Sequence, residues 1–346
     1  MTSRGNHTPV NVLTGFLGSG KTTLLQRLLR SPRMAQTAVL INEFGEIGLD
    51  HLLVQKVDET VLLLESGCIC CSIRDDLKSA LRGLLGRRER GEIPWFDRVV
   101  IETTGLADPG PILYTLLSEP VIRHHFQPGN VITTVDVVNA ELHLSRNAEG
   151  IKQVAAADRL VLTKSDLAAP GQTDIVRNEL ARLNPSARFW DAAQEPVDAD
   201  FLLDAMPSAP ASSPARYRPW NEGAGAGWAD ATRGLRPHIE SVSSMSLTVD
   251  RPMDWTAFGI WLSLLLNRHG DDVLRVKGIL CVEGSDTPVF INGVQHIVHP
   301  PRHLERWPTP DHRSRIVFIT RGIDHRQLGR SLEAFCRLRV AELAAA

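Results

Sequence analysis

Two short stretches of this 346-residue chain concentrate groups able to do chemistry. The first runs Gly15-Phe-Leu-Gly18-Ser19-Gly20-Lys21-Thr22-Thr23 and satisfies the spacing G-x-x-x-x-G-K-[ST] between an apolar run, Val10–Leu13, and leucines at helical spacing. In that setting the glycines let the backbone fold tightly, so that its N–H groups and the positive helix end surround phosphate oxygens. Lys21 is expected to reach the β- and γ-phosphates, and the Thr22 hydroxyl to ligate Mg²⁺. The second stretch, Gly67-Cys68-Ile-Cys70-Cys71-Ser72, holds three of the five cysteines. A disulfide between such near neighbours is strained. Three readings stay open: transition-metal binding, which thiolates favour over hard cations; redox chemistry, although the spacing departs from C-x-x-C; and buried structural cysteine. A helix beginning near Ile73 would lower the thiol pKa values and favour the thiolate. Three ligands from one loop would leave a fourth position open for exchange.

Two further stretches extend the phosphate site. Val99-Val-Ile-Glu102-Thr-Thr-Gly105 is an apolar strand ending in a carboxylate, with a glycine three residues on. Glu102 is expected to hold Mg²⁺ through water, and the Gly105 N–H to report the γ-phosphate. Leu160-Val-Leu-Thr163-Lys164-Ser165-Asp166 is close to Asn-Lys-x-Asp. A carboxylate there accepts from both N1–H and the 2-amino group of guanine, a donor pair that adenine lacks, so GTP is favoured over ATP. The Lys164 stem is expected to cover the base. Thr163 stands where the pattern has Asn and offers fewer hydrogen bonds; Ser165 or Asp166 has a plainer alternative as a helix N-cap.

These groups need a scaffold of strands that end together. From residue 9 to about 190, β-rich runs (Val10–Leu13, Ala38–Ile41, Val61–Leu64, Arg98–Ile101, Val131–Val135, Arg159–Leu162) alternate with amphipathic helical patterns. Alternation of this kind predicts an α/β domain with a mainly parallel sheet and helices on both faces. Leu24, Leu25, Leu28 and Leu29 mark one helix, and Leu77, Leu81, Leu84 and Leu85 another. The expected organisation is a first domain over residues 1–205, a Pro/Ala/Gly-rich linker over 206–240, and a smaller α+β domain over 241–346. In the last, runs at Ser241–Val249, Val273–Val282, Val289–Ile291 and Arg315–Thr320 flank helices expected at Met253–Asn267 and His325–Leu343.

Hydrophobic residues at 43%, charged residues at 23% and a formal net charge of −2 argue against nucleic acid as the main ligand. No run approaches the roughly 18 apolar residues that span a membrane, and the polar amino terminus lacks a signal region, so a cytoplasmic protein with reduced thiols is expected. His296, His299 and His303 fall in a Pro-rich stretch and are expected to lie in a solvated loop. His124 and His125 would point apart in a strand. Trp255, Phe258, Trp261, Leu262 and Leu265 are expected to form core, with client binding or self-association as a second use.

Taken together, these residues resemble the CobW family of P-loop GTPases, relatives of the nickel-insertion GTPases of hydrogenase and urease maturation. The resemblance rests on Thr14-Gly-Phe-Leu-Gly-Ser-Gly-Lys-Thr-Thr-Leu-Leu25, Ile41-Asn-Glu-Phe-Gly-Glu-Ile-Gly-Leu-Asp50, Gly67-Cys-Ile-Cys-Cys71, Glu102-Thr-Thr-Gly-Leu-Ala-Asp-Pro109 and Thr163-Lys-Ser-Asp166. In the second half it rests on Val273-Leu-Arg-Val-Lys-Gly-Ile-Leu280, Phe290-Ile-Asn-Gly-Val-Gln295, Trp307 and Arg315-Ile-Val-Phe-Ile319. It implies a low-turnover GTPase that binds a transition metal, usually zinc, and delivers it to a client metalloprotein through the carboxy-terminal domain or a switch surface. Cys68, Cys70 and Cys71 become metal ligands, with Glu46 as an oxygen ligand and Co²⁺ as the alternative ion. Glu43 and Asp50 belong to a first switch near Mg²⁺ and the attacking water. Ile41 stands where some relatives carry an acid, and only His238 lies near the linker, where many have a His-rich stretch. Alternatives kept beside this are a nucleotide-regulated thiol redox sensor and a cobalt or iron insertion factor, for cobalamin synthesis or nitrile hydratase activation.

Overall fold

The computed structural model describes residues 7–42, 61–64, 72–196, 198–204, 241–336 and 340–343. The three clustered cysteines, Glu43, Glu46, Asp50 and the linker expected at 206–240 lie outside the described residues. The chain divides into two units, each built around one sheet.

Up to the linker the elements are β1 (Thr8–Gly15), α1 (Lys21–Leu29), β2 (Thr37–Asn42), β3 (Val61–Leu64), α2 (Ser72–Glu89), β4 (Arg98–Glu102), α3 (Gly110–Ser118), α4 (Pro120–His125), β5 (Phe126–Asp136), α5 (Ala140–Arg146), α6 (Ala148–Ala156), β6 (Arg159–Thr163), α7 (Gln172–Leu183), β7 (Arg188–Asp191) and α8 (Ala199–Leu203). Among the described residues, seven strands form a parallel sheet in the order β3-β2-β4-β1-β5-β6-β7. All five residues of β6 and the last four of β4 are buried, as in parallel sheets covered on both faces. Leu24, Leu25 and Leu28 of α1 pack with Leu13, Val100 and Ile132, and each such burial contributes about 1.5–3 kcal/mol. Leu77, Leu81, Leu84 and Leu85 form the buried stripe expected of α2. Because every strand runs the same way, Gly15, Glu102, Asp136, Thr163 and Asp191 all finish at one edge. The register sets Leu13 beside Glu102 and Asp136 beside Thr163. Strand β7 and helix α8 had no counterpart among the sequence expectations. His124 and His125 end α4 rather than a strand, with their rings perpendicular at 5.0 Å.

The second unit contains β8 (Val242–Val249), α9 (Trp255–His269), β9 (Val273–Leu280), β10 (Val289–Val294), β11 (Ile297–Val298), β12 (Arg302–His303), β13 (Ser314–Arg321), α10 (His325–Cys336) and β14 (Val340–Leu343). The sheet is antiparallel, ordered β11-β10-β9-β13-β8-β14, with β12 also on β10. Phe258, Trp261 and Leu262 of α9 enter its core with Phe318 and Leu332, and Trp261 meets Phe318 edge to face at 5.9 Å. On the other side of α9, Trp255, Ile260 and Leu264 are exposed. The terminal helix expected at His325–Leu343 stops at Cys336, and Val340–Leu343 pairs antiparallel with β8. A strand edge offers unpaired backbone groups, and here they outweigh the helix propensity of an Ala/Leu-rich tail. Of the three histidines expected in a loop, His296 lies in the exposed turn between β10 and β11, His299 just past β11 in no regular element, and His303 alone in a strand, β12. His296 meets Asp271 at 3.0 Å, and His299 lies 3.4 Å from Asn292. Among the described residues no group of three or more His, Cys, Asp or Glu is placed to hold a metal, and no helix is long and apolar enough to cross a membrane.

Candidate nucleotide site

At the carboxyl edge of the parallel sheet the chain leaves β1 through three glycines with φ values of +141° (Gly15), +71° (Gly18) and +89° (Gly20), which side-chain-bearing residues rarely adopt. A Cβ on Gly15 would also lie 2.2 Å from the Thr134 hydroxyl. Neighbouring strands hold the loop through hydroxyls. The Ser19 and Thr134 hydroxyls are 2.6 Å apart, and the Thr163 hydroxyl donates to the Ser19 carbonyl at 2.8 Å. The Thr103 hydroxyl donates to that of Thr14 at 2.9 Å. Lys21 is buried at the start of α1, and its Nζ donates to the Gly15 and Phe16 carbonyls at 3.0 and 3.2 Å. The ammonium therefore sits inside the curl of the loop, within the reach of an anion cradled there. Thr22 is half-buried beside it, and Thr23 is exposed.

Thr22 Oγ1 donates to Glu102 Oε1 at 2.7 Å, and Glu102 is only 4% exposed. A hydroxyl and a carboxylate meeting at the mouth of a phosphate loop form a hard-oxygen pair, and that donor set would suit Mg²⁺, held directly or through water. Beyond Glu102 the chain turns back against the loop. A Cβ on Gly105 would lie 2.6 Å from the Leu17 nitrogen, so only glycine can approach the phosphate loop this closely. Asp108 closes the turn by accepting from the Gly110 N–H at 2.9 Å at the head of α3.

On the other flank, Lys164 has the left-handed φ of 57°, uncommon outside glycine, and its Nζ lies 2.7 Å from Asp136 Oδ2. Asp136 is buried and also accepts from the Val138 N–H at 2.9 Å and the Asn139 side-chain amide at 2.9 Å. Burial alone would raise its pKa; the bonds from Lys164 and Asn139 outweigh it and hold the carboxyl below its usual value. The Lys164 side chain is thereby tied by its ammonium to the end of β5. The Ser165 hydroxyl donates to Asp191 Oδ1 at 2.6 Å, so it ties its loop to the end of β7 and does not cap a helix. Asp166 stands exposed in the single turn Ser165–Leu167. The half-buried His143 ring lies 4.5 Å from that of Phe16, and burial lowers its pKa.

The structure thus brings together the phosphate loop, Glu102, Gly105 and the Thr163–Asp166 segment. Thr163 acquires a definite role there, since its hydroxyl braces the phosphate loop. Sequence reasoning missed Thr134, Asp136, His143 and Asp191. Asp136 ends an apolar run just as Glu102 does, and that signal was available; Thr134 and His143 carry no local one. Glu43, Glu46, Asp50 and the cysteines lie outside the described residues, though the strand and helix expected on either side of the cysteines, β3 and α2, are in place.

A family model for the CobW/HypB/UreG nucleotide-binding domain matches residues 9–191, and one for the cobalamin synthesis protein cobW carboxy-terminal domain matches 242–336. A protein of Escherichia coli K12 called zinc chaperone YjiA is 33% identical over 314 residues, covering 91% of this chain and 94% of its own. A Pseudomonas aeruginosa protein called zinc chaperone CobW is 29% identical, covering 94% of this chain and 90% of its own. The crystal structure of Zn(II)-bound YjiA GTPase from E. coli superimposes with a TM-score of 0.68 at 26% identity, over 95% of this chain and 99% of that one. With both of its domains matched and the phosphate loop built as described, this chain belongs to the CobW/HypB/UreG family and carries the CobW carboxy-terminal domain.

Proposed function

We propose that this protein is a GTP-hydrolysing zinc chaperone that carries Zn²⁺ on Cys68, Cys70 and Cys71 and hands it to a client metalloprotein as the nucleotide changes. The observation that carries the nucleotide half is the 2.7 Å contact of Thr22 with the buried Glu102 at the mouth of a braced phosphate loop. Thr22 and Glu102 would hold Mg²⁺, which when bound draws charge from the β- and γ-phosphates. Lys21 would bind the same oxygens, Gly105 the γ-phosphate, and Asp166 with Lys164 the guanine. Glu43 and Asp50 would orient the water that attacks the γ-phosphorus, releasing GDP and phosphate at a low intrinsic rate.

The zinc half is supported by the likeness to relatives called zinc chaperones across nine-tenths of the chain. A Schizosaccharomyces pombe relative, 34% identical over 55% of this chain and 47% of its own, is called zinc-regulated GTPase metalloprotein activator 1. Thiolates select Zn²⁺ over hard cations, with Co²⁺ as the competing ion and Glu46 as a further ligand. The γ-phosphate and Mg²⁺ would order the first switch and the cysteine loop together, and a coupling of about 1–3 kcal/mol changes zinc affinity roughly 5- to 150-fold. The protein would act in the cytoplasm, without nucleic acid or membrane as partner.

Titration of Zn²⁺ and Co²⁺ against a competing chelator, with GDP and then a non-hydrolysable GTP analogue, tests this beside a Cys70→Ala/Cys71→Ala variant. A tight site lost in the variant and shifted by the γ-phosphate is expected. Affinity indifferent to both cysteines and nucleotide would remove zinc delivery.

A further inference from the structure

Gly105 poses a physical problem for a loop meant to register the third phosphate. The close approach to Leu17 demands glycine there, and glycine leaves the backbone more conformational freedom than any other residue. Something else must hold the peptide. Side chains of α6, nearly fifty residues further along the chain, reach this loop. Gln153 Nε2 donates to the Gly105 carbonyl at 3.2 Å and to the Ala107 carbonyl at 3.0 Å. Beside it, Lys152 pairs with Asp108 at 3.0 Å. Gln153 is 1% exposed, and its own backbone carbonyl accepts from the Thr133 hydroxyl at 2.9 Å, which fastens that turn of α6 to β5.

A buried amide is costly unless its donors are matched, so both bonds are strongly enforced. Peptide groups are planar, so fixing the Gly105 carbonyl fixes the 105–106 peptide, while the 104–105 peptide that carries the Gly105 N–H is held at the Thr104 carbonyl, which accepts from the Ala107 N–H at 3.2 Å in the same turn whose Ala107 carbonyl Gln153 ties down. The glycine is restrained from outside, by a side chain it cannot carry itself.

We infer that Gln153 is the positioning residue of the γ-phosphate loop, holding Gly105 in the orientation that receives the third phosphate and so setting the discrimination between GTP and GDP. This rests on the nucleotide reading given above. A diphosphate does not reach Gly105, so loss of Gln153 weakens the triphosphate selectively. A purely structural role would weaken both nucleotides alike.

The test uses the full chain with Mg²⁺, measuring the affinity of GDP and of a non-hydrolysable GTP analogue by calorimetry, and single-turnover GTP hydrolysis. Gln153→Met keeps the length and removes the donors; Gln153→Glu sets a carboxylate against two carbonyls and serves as a second variant if the first is poorly folded. For either, the analogue is expected to bind about tenfold more weakly, equivalent to about 1.4 kcal/mol, with hydrolysis slowed to match and GDP affinity within about twofold of the parent. Lys152→Met, which removes a partly exposed ion pair, is expected to have a smaller effect of the same kind. If the parent protein binds both nucleotides and the ratio of their affinities is unchanged in the variants, this inference falls and the nucleotide reading stands. If the parent binds neither, both fall.

Discussion

The two sheets of this protein handle polar side chains in opposite ways. In the parallel sheet every strand ends at the same edge, and buried hydroxyls, carboxylates and an ammonium converge there: Thr134, Thr163, Glu102, Asp136 and Lys21. In the antiparallel sheet adjacent strands end at opposite edges, so its polar groups form separate small sets around an apolar core, as His296 does with Asp271, His299 with Asn292, and Asp311 with Arg313 and Arg315. The lesson is one of direction. A parallel sheet sums its loops at the carboxyl edge, where ligands of open α/β sheets bind; an antiparallel one disperses them.

The contrast can be broken most forcefully at the core of the second sheet. Phe318→Ala removes a fully buried ring that packs on Trp261, and is expected to cost about 3–5 kcal/mol. Two-stage thermal unfolding, with the first unit still binding GDP, should follow if the sheets are energetically separate; a single transition shifted as a whole would join them. Lys21→Ala is the counterpart in the first sheet. It should slow single-turnover hydrolysis by roughly 10²-fold or more, as loss of an electrostatic stabiliser does, while leaving the melting of nucleotide-free protein nearly unchanged.

A subtler contrast concerns acid. Asp136 is held below its usual pKa in the folded state, so its stabilising effect is complete above the ordinary carboxylate value of about 3.9 and is lost as pH falls through the lowered folded value. Asp136→Asn should therefore be less stable than the parent at neutral pH, with the gap closing below about pH 4; denaturant midpoints across about pH 2.5–7 would show it. The smallest effect is expected at the hairpin. His296→Ala should leave zinc stoichiometry unchanged by competitive titration, because His296 meets Asp271 on an exposed turn and, among the described residues, no third ligand joins them. A lost equivalent of zinc would give the second sheet a convergent site after all.

Much of the fold was legible because the signals were local. Apolar runs such as Val10–Leu13 and Arg159–Leu162 became strands within a residue or two, and the leucines of α1 and α2 gave the buried stripes their spacing required. Where the expectation failed, a tertiary partner decided. The tail at Val340–Leu343 follows the edge of β8 instead of continuing α10, and His303 falls on a strand, β12, made by pairing with β10 that no local pattern displays. Within the candidate site, Lys21, Thr22 and Glu102 were legible by spacing, whereas Thr134, Asp136 and Gln153 act from other strands or from a later helix.

By itself the sequence determined the phosphate loop, the Thr163–Asp166 segment that follows β6, the alternation that makes a parallel sheet and the clustering of three thiols, because each depends on residue types a few positions apart. Only the tertiary structure decided that Thr163 braces the loop through Ser19, that Asp136 anchors Lys164, and that Gln153 restrains Gly105. Those contacts span 28 to 144 residues of sequence. They exist because parallel strands carry distant segments to a common edge, where burial leaves each polar group to find its partner.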